Sequence, residues 1–129
     1  MERIDESLLG ITEQKALAGN YKAYIRDTVT GKCYVIPYGE WAIGRKDDKI
    51  IDIPVETKDV YMSRIHAVIT LEKNIIGENS LYIRDTVERL NPTEADNYKI
   101  GNYFDTQLYD GSTFQMGETN FTVHLKPLA

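Results

Sequence analysis

Ile65-His66-Ala67-Val68-Ile69-Thr70-Leu71, then a turn across residues 74–79 that holds Gly77, then Leu81-Tyr82-Ile83-Arg84, is apolar and β-branched on both sides of the turn. This composition predicts a β-hairpin, because branched and aromatic side chains suit a pleated, half-buried surface. Upstream, Tyr21-Lys22-Ala23-Tyr24-Ile25-Arg26 alternates polar and apolar residues, the period of a strand with one face buried. Thr30-Gly31-Lys32 then turns the chain into Cys33-Tyr34-Val35-Ile36, Pro37 and Gly39 break that run, and Trp41-Ala42-Ile43 gives a third strand that ends at Gly44-Arg45. Downstream, the stretches Leu108-Tyr109-Asp110-Gly111-Ser112-Thr113-Phe114-Gln115-Met116-Gly117 and Asn120-Phe121-Thr122-Val123-His124-Leu125 read as two strands around turns. Many short strands with regular turns and almost no helix predict an all-β chain folded as a β-sandwich.

The first 20 residues differ. Leu8, Leu9 and Leu17 stand at loosely helical spacing among charged residues, and Gly19-Asn20 closes the segment, so residues 1–20 are expected to be a short helix or a flexible leader. Residues 21–129 are expected to be one domain, a size that buries a real core. Two segments are too long for simple turns, residues 46–62 and residues 85–99, and loops of that length in a compact domain are where binding is expected. The echo of Ile25-Arg26-Asp27-Thr28-Val29 in Ile83-Arg84-Asp85-Thr86-Val87 reads as two similar strand ends, since nothing around either copy matches further.

Composition narrows the function classes. Hydrophobic residues are 42% and charged residues 27% of the chain, the balance of an ordinary soluble domain. A net charge of −5 repels polyanions, which argues against nonspecific nucleic-acid binding and against an anionic membrane surface, and confines any anion site to a local pocket. The one cysteine, Cys33, has no internal disulfide partner. With the charged start Met1-Glu2-Arg3-Ile4-Asp5-Glu6 in place of an apolar leader, this gives a cytoplasmic expectation.

The residues with chemistry to offer flank the first long loop: Gly44-Arg45-Lys46 at its start and Ser63-Arg64-Ile65-His66 at its end. Two guanidiniums, a hydroxyl and loop backbone N–H groups suit a phosphate dianion, because charge-assisted hydrogen bonds are short and arginine presents a planar fork. Each residue also has a plainer reading, since an arginine after a turn is commonly a solvated surface residue. Catalysis finds little support: Ser63 and His66 lack a third group and an oxyanion loop. His66, His124 and Cys33 lack metal-ligand spacing, and the acidic run Asp47, Asp48 and Asp52 lacks the glycine and terminal glutamate of a calcium loop. No catalytic residue, metal or cofactor is expected. Nine tyrosines fit strands and binding surfaces alike.

In order and spacing, Ile43-Gly44-Arg45, then Ser63-Arg64-Ile65-His66-Ala67-Val68-Ile69, then Leu108 to Gly117 in the form L-x-D-G-x-x-F-x-x-G resemble the signature of the forkhead-associated (FHA) domain family across roughly residues 21–125. The resemblance implies an FHA-like β-sandwich of two antiparallel sheets whose loops bind phosphothreonine in a partner protein, itself linked to a serine/threonine kinase. By matching position it implies that Arg45 contacts the phosphate or peptide backbone, Ser63 donates its hydroxyl to the phosphate and Arg64 adds a second charged contact. It further implies that His66 bonds across the loops and that Gly44 is the tight-turn residue that aims Arg45. Where the family carries Asn-Gly after a hydroxyl residue, this chain has Leu90-Asn91-Pro92-Thr93, which makes Asn91 and Thr93 the candidate peptide contacts. Proline fixes φ and lacks an N–H where glycine would permit positive φ. The alternative reading is therefore a degenerate FHA fold that serves as a phosphate-independent scaffold.

Overall fold

The computed structural model describes residues 4–47, 51–86, 91–101 and 104–126; Asp48 and Leu90, weighed above, lie outside the described residues. In chain order the strands are β1 (Leu9–Ile11), β2 (Ala23–Asp27), β3 (Cys33–Val35), β4 (Gly39–Arg45), β5 (Ile53–Val55), β6 (Ala67–Lys73), β7 (Asn79–Asp85), β8 (Glu94–Ala95), β9 (Tyr98–Lys99), β10 (Thr106–Leu108), β11 (Thr113–Met116) and β12 (Thr119–Leu125). They form a sandwich of two sheets, one ordered β1-β3-β2-β12-β11-β8-β9 and the other β10-β7-β6-β4-β5. Within the described residues β4–β5 is the one parallel pair, with Ile43 opposite Ile53.

Alternation decides which faces meet. In β6, Ala67, Ile69 and Leu71 are buried while Val68 and Thr70 are not, and in β12 Phe121 and Val123 point inward. Tyr34, Phe114, Phe121, Ile25, Ile43, Ile69, Leu81 and Ile83 fill the space between the sheets, and the Phe114 and Phe121 rings stack at 5.1 Å. Burying such a side chain stabilises the fold by about 1.5–3 kcal/mol. The Glu56 amide donates to the Tyr34 hydroxyl at 3.0 Å, which gives this core phenol a partner at the margin of the two sheets.

Residues 4–20 hold the expected short helix and are packed on the sandwich. A six-residue helix, α1 (Glu13–Ala18), is capped by Thr12, whose side chain accepts from the Lys15 amide at 3.2 Å. Ahead of it, β1 pairs with β3 through a bulge, and Ile4, Leu8 and Leu9 pack on the main core. The helix closes a second small cluster on the outer face of the sheet, where Ala16 covers Tyr24, Cys33 and Val35. The helical spacing of the leucines was misleading because Leu8 and Leu9 belong to a 3-10 turn (Glu6–Leu8) and a strand.

Both expected long loops contain short strands. β5 sits inside residues 46–62, and β8 and β9 form a tight hairpin inside residues 85–99 around Asp96 and Asn97, whose φ values are 48° and 73°. Register places the ends of β2, β4 and β7 and the starts of β6 and β12 at one end of the sandwich: Phe121 faces Asp27, Ile43 faces Ala67, and Ala67 faces Asp85. The segment of residues 56–66 meets Thr86, Asn91 and the β11–β12 turn there.

Candidate functional site

The segment that leads into β6 is held by its backbone. The Arg45 amide donates to the Ser63 carbonyl at 3.0 Å, and the Arg45 Nε donates to the Met62 carbonyl at 3.0 Å. Arg45 is thus fixed against residues 62–63 from both its main chain and its side chain. Nε is one of five guanidinium donors, and among the described residues no carboxylate forms an ion pair with this arginine. Arg64, on the same segment, is exposed and pairs with Asp47 at 3.7 Å. That contact between partly solvated groups contributes about 0–1 kcal/mol and is readily exchanged for another anion.

Gly44 has a different role from the one the resemblance implied. It lies inside β4, where an added Cβ would stand 2.1 Å from the Arg64 carbonyl oxygen and 2.5 Å from that of Ser63. Glycine is required here by close approach of two backbones rather than by a turn. The absence of a side chain lets the Ser63–Arg64 peptide cross directly over the strand, and this brings Arg45, Ser63 and Arg64 to one place.

His66 is fully buried. Its amide donates to the Ile43 carbonyl at 3.0 Å, and its Nδ1 accepts the Ser63 amide at 3.0 Å. An accepting Nδ1 assigns the ring proton to Nε2. Ser63 is half-buried, its N–H committed to His66 and its C=O to Arg45, so its position is set by the fold and not by solvent.

Asn91 reaches the same loop: its Nδ2 donates to the Tyr61 carbonyl at 2.9 Å. Its side chain therefore bridges the two loops in this structure. Thr93 does not belong to the exposed set. It is 0% exposed, its amide donates to both Asp85 carboxylate oxygens at 3.2 and 3.1 Å, and its hydroxyl is buried with no hydrogen-bond partner among the described residues. The expected peptide contact at Thr93 is corrected on that ground, because a side chain sealed inside the fold cannot touch a ligand on its surface. It instead ties Asp85 to Ile100, whose amide donates to the Thr93 carbonyl at 3.0 Å.

Four contributors were missed in the sequence. The Thr86 hydroxyl donates to the Ile65 carbonyl at 2.7 Å, which ties the end of β7 to the entry of β6. Asp59 bonds the loop to the β11–β12 turn through Glu118 and Thr119. Val60 and Tyr61, 73% and 51% exposed, give the loop an apolar outer edge beside the arginines. Only hydroxyl and carboxylate side chains at loop ends could have signalled the first two, and such residues are common in any turn. Among the described residues no group of three or more His, Cys, Asp or Glu is arranged to hold a metal ion.

The FHA domain family matches residues 41–117, a span that runs from Trp41 to Gly117 and takes in Gly44, Arg45, Ser63, Arg64, His66, Asn91 and Thr93. The chain belongs to the FHA domain family. This FHA domain is 31% identical over 123 aligned residues to a nibrin homolog of Oryza sativa subsp. japonica, a match that covers 77% of this chain and 20% of the relative. The chain thus spans about a fifth of the length of the curated relatives it matches. Among solved structures it resembles an FHA domain from a structural and functional analysis of phosphothreonine-dependent FHA domain interactions, with a TM-score of 0.65, 23% identity and coverage of 82% of this chain and 98% of that one. It also resembles the MEK1 FHA domain in complex with a HOP1 phosphothreonine peptide, with a TM-score of 0.65, 14% identity and coverage of 81% and 97%. At these identities the structural likeness speaks to the fold, which is the FHA β-sandwich.

Proposed function

We propose that this FHA domain is a phosphothreonine-peptide binding module that mediates phosphorylation-dependent protein–protein contact, without catalysis of its own. The observation that carries the reading is Arg45 pinned at two points to residues 62–63, beside Ser63 and next to Arg64. A phosphothreonine brings close to two negative charges and three strong acceptor oxygens at neutral pH, and a preorganised arginine with spare N–H donors meets them with little entropy to lose. The solved FHA relative that holds a phosphothreonine peptide supports the same ligand class. Ser63 and Arg64 supply the further phosphate contacts, and Asn91 holds the ligand main chain after exchange of its bond to Tyr61. The partner is a phosphothreonine protein in a serine/threonine kinase pathway, and the setting is cytoplasmic.

A second reading rests on one observation. Asn91 is followed by Pro92 and already donates to the Tyr61 carbonyl, so this loop can serve as a fixed brace in a phosphate-independent scaffold. The two are separated by measuring partner capture from phosphatase-treated and untreated extracts of the native cell. Loss of capture after phosphatase supports the binding module, and equal capture supports the scaffold.

A further inference from the structure

The loop that carries Tyr61, Met62 and Ser63 is held on its inner side by Arg45, His66 and Asn91. On its other side the holding group is a single carboxylate. Asp59 Oδ2 accepts the Glu118 amide at 2.7 Å and the Thr119 hydroxyl at 2.6 Å, while Asp59 Oδ1 accepts the Tyr61 amide at 2.9 Å. The Met62 amide closes a turn onto the Asp59 carbonyl at 3.3 Å. One side chain therefore joins the loop to the β11–β12 turn across the end of the sandwich.

Gly117 makes the junction possible. Its φ is +63°, and a Cβ there would lie 2.5 Å from the Met62 amide nitrogen, 2.7 Å from Asp59 Oδ2 and 2.7 Å from the Tyr61 carbonyl carbon. The final glycine of the L-x-D-G-x-x-F-x-x-G run is thus the seat of this loop as well as a turn residue. Thr119 is 7% exposed, so its bond to Asp59 is shielded from competing water. The loop residues Val60 and Tyr61 face outward from the same anchored turn.

We propose that Asp59 is a positioning residue for the anion site: it clamps the loop of residues 59–63 to the β11–β12 turn and so fixes Ser63 and the Met62 carbonyl that orients Arg45, without touching the ligand. This rests on the phosphopeptide reading for its effect on affinity, but the clamp itself is a property of the free protein. A site that depends on charge-assisted hydrogen bonds needs its donors held to within a fraction of an ångström, and a loosened supporting contact is enough to weaken it.

The test uses the whole 129-residue chain as wild type and as Asp59→Asn, Thr119→Val and Thr119→Ser. Amide hydrogen exchange of residues 61–63 is measured by NMR, together with affinity for a degenerate phosphothreonine peptide library. The side-chain amide introduced by Asp59→Asn would present N–H groups where the carboxylate accepts, so exchange at Tyr61 should quicken by about tenfold or more and affinity should fall by about tenfold, the size expected for a lost hydrogen bond to a charged group. Thr119→Val should move both in the same direction, and Thr119→Ser, which keeps the hydroxyl, should restore them, while exchange in β6 and β7 stays unchanged. Wild-type loop exchange in Asp59→Asn overturns the clamp. Equal losses in the serine and valine variants also overturn it, because the hydroxyl would then be irrelevant. Should Asp59→Asn fail to fold, the Thr119 pair decides. A wild-type chain that binds no peptide sinks the functional reading alone, and the exchange rates still decide the clamp.

Discussion

At the scale of single residues, the site is built from groups whose alternatives are sterically or electrostatically costly. Gly44→Ala would drive a Cβ to 2.1 Å from the Arg64 carbonyl, a clash with backbone that no rotamer relieves. The variant should lose more than about 3 kcal/mol of stability, read as a large drop in the denaturant midpoint. Thr93→Val makes the opposite prediction. It removes a buried hydroxyl that has no partner among the described residues in favour of a side chain of nearly the same shape, so stability should rise by up to about 1 kcal/mol with peptide affinity unchanged. A marked loss of affinity in that variant would show that Thr93 reaches the ligand after all. That Ser63, Arg45 and His66 come together was legible because their chemistry and spacing are unusual together. The burial of Thr93 and the role of Gly44 were not, because both depend on which backbone passes overhead.

At the scale of elements, alternation of side chains found the strands wherever they were long. The hairpin β6–β7, the β2–β3 pair and the final strand were all readable from period and turn residues, since each buries one face. The short strands β5, β8, β9 and β10 escaped notice because two or three residues carry no period, and their pairing is imposed by neighbours. Residues 9–11 escaped for the same reason, and their contribution is testable. Cys33 is 0% exposed beneath α1, and burial first of all pushes its thiol up to about 11, so the folded protein should resist alkylation at neutral pH. Deletion of residues 1–18 removes β1 and α1 from that face, and Cys33 should then react with a thiol reagent in native buffer. Continued protection would mean that the sheet shields Cys33 without them.

At the scale of the whole molecule, the candidate site gathers at one end of the two sheets, and its charge is local. The chain carries −5 overall, so affinity for phosphate must come from short-range contacts and should fall only modestly with added salt. Acid stability follows from the loop anchor. Burial raises the carboxyl of Asp59, but the hydrogen bonds from Thr119, Glu118, Tyr61 and Met62 together outweigh it and hold the group below its ordinary value of 3.8. A depressed folded value means that this stabilisation is fully present above pH 3.8 and is lost as the pH falls through the lower folded value. Asp59→Asn should therefore flatten the acid limb of the stability curve relative to wild type, in urea titrations taken from pH 5 downward. The family and its two-layer architecture could be read from three short motifs on a β pattern. The way Asp59, Thr86 and Asn91 lock the loops together could not, because those contacts join residues about 20 to 60 positions apart.

The central claim is that Arg45 and the loop it grips bind phosphothreonine. It is tested most directly by titrating a degenerate phosphothreonine peptide library, with unphosphorylated and phosphoserine libraries as controls, against the wild-type chain and Arg45→Ala at a fixed moderate salt. The account predicts binding selective for phosphothreonine that weakens by at least about tenfold in Arg45→Ala, since hydrogen bonds to charged groups are worth roughly 1.5–3 kcal/mol each. Equal affinity of the folded wild type and variant for the phosphothreonine library, or equal affinity of the wild type for phosphorylated and unphosphorylated peptides, would contradict it.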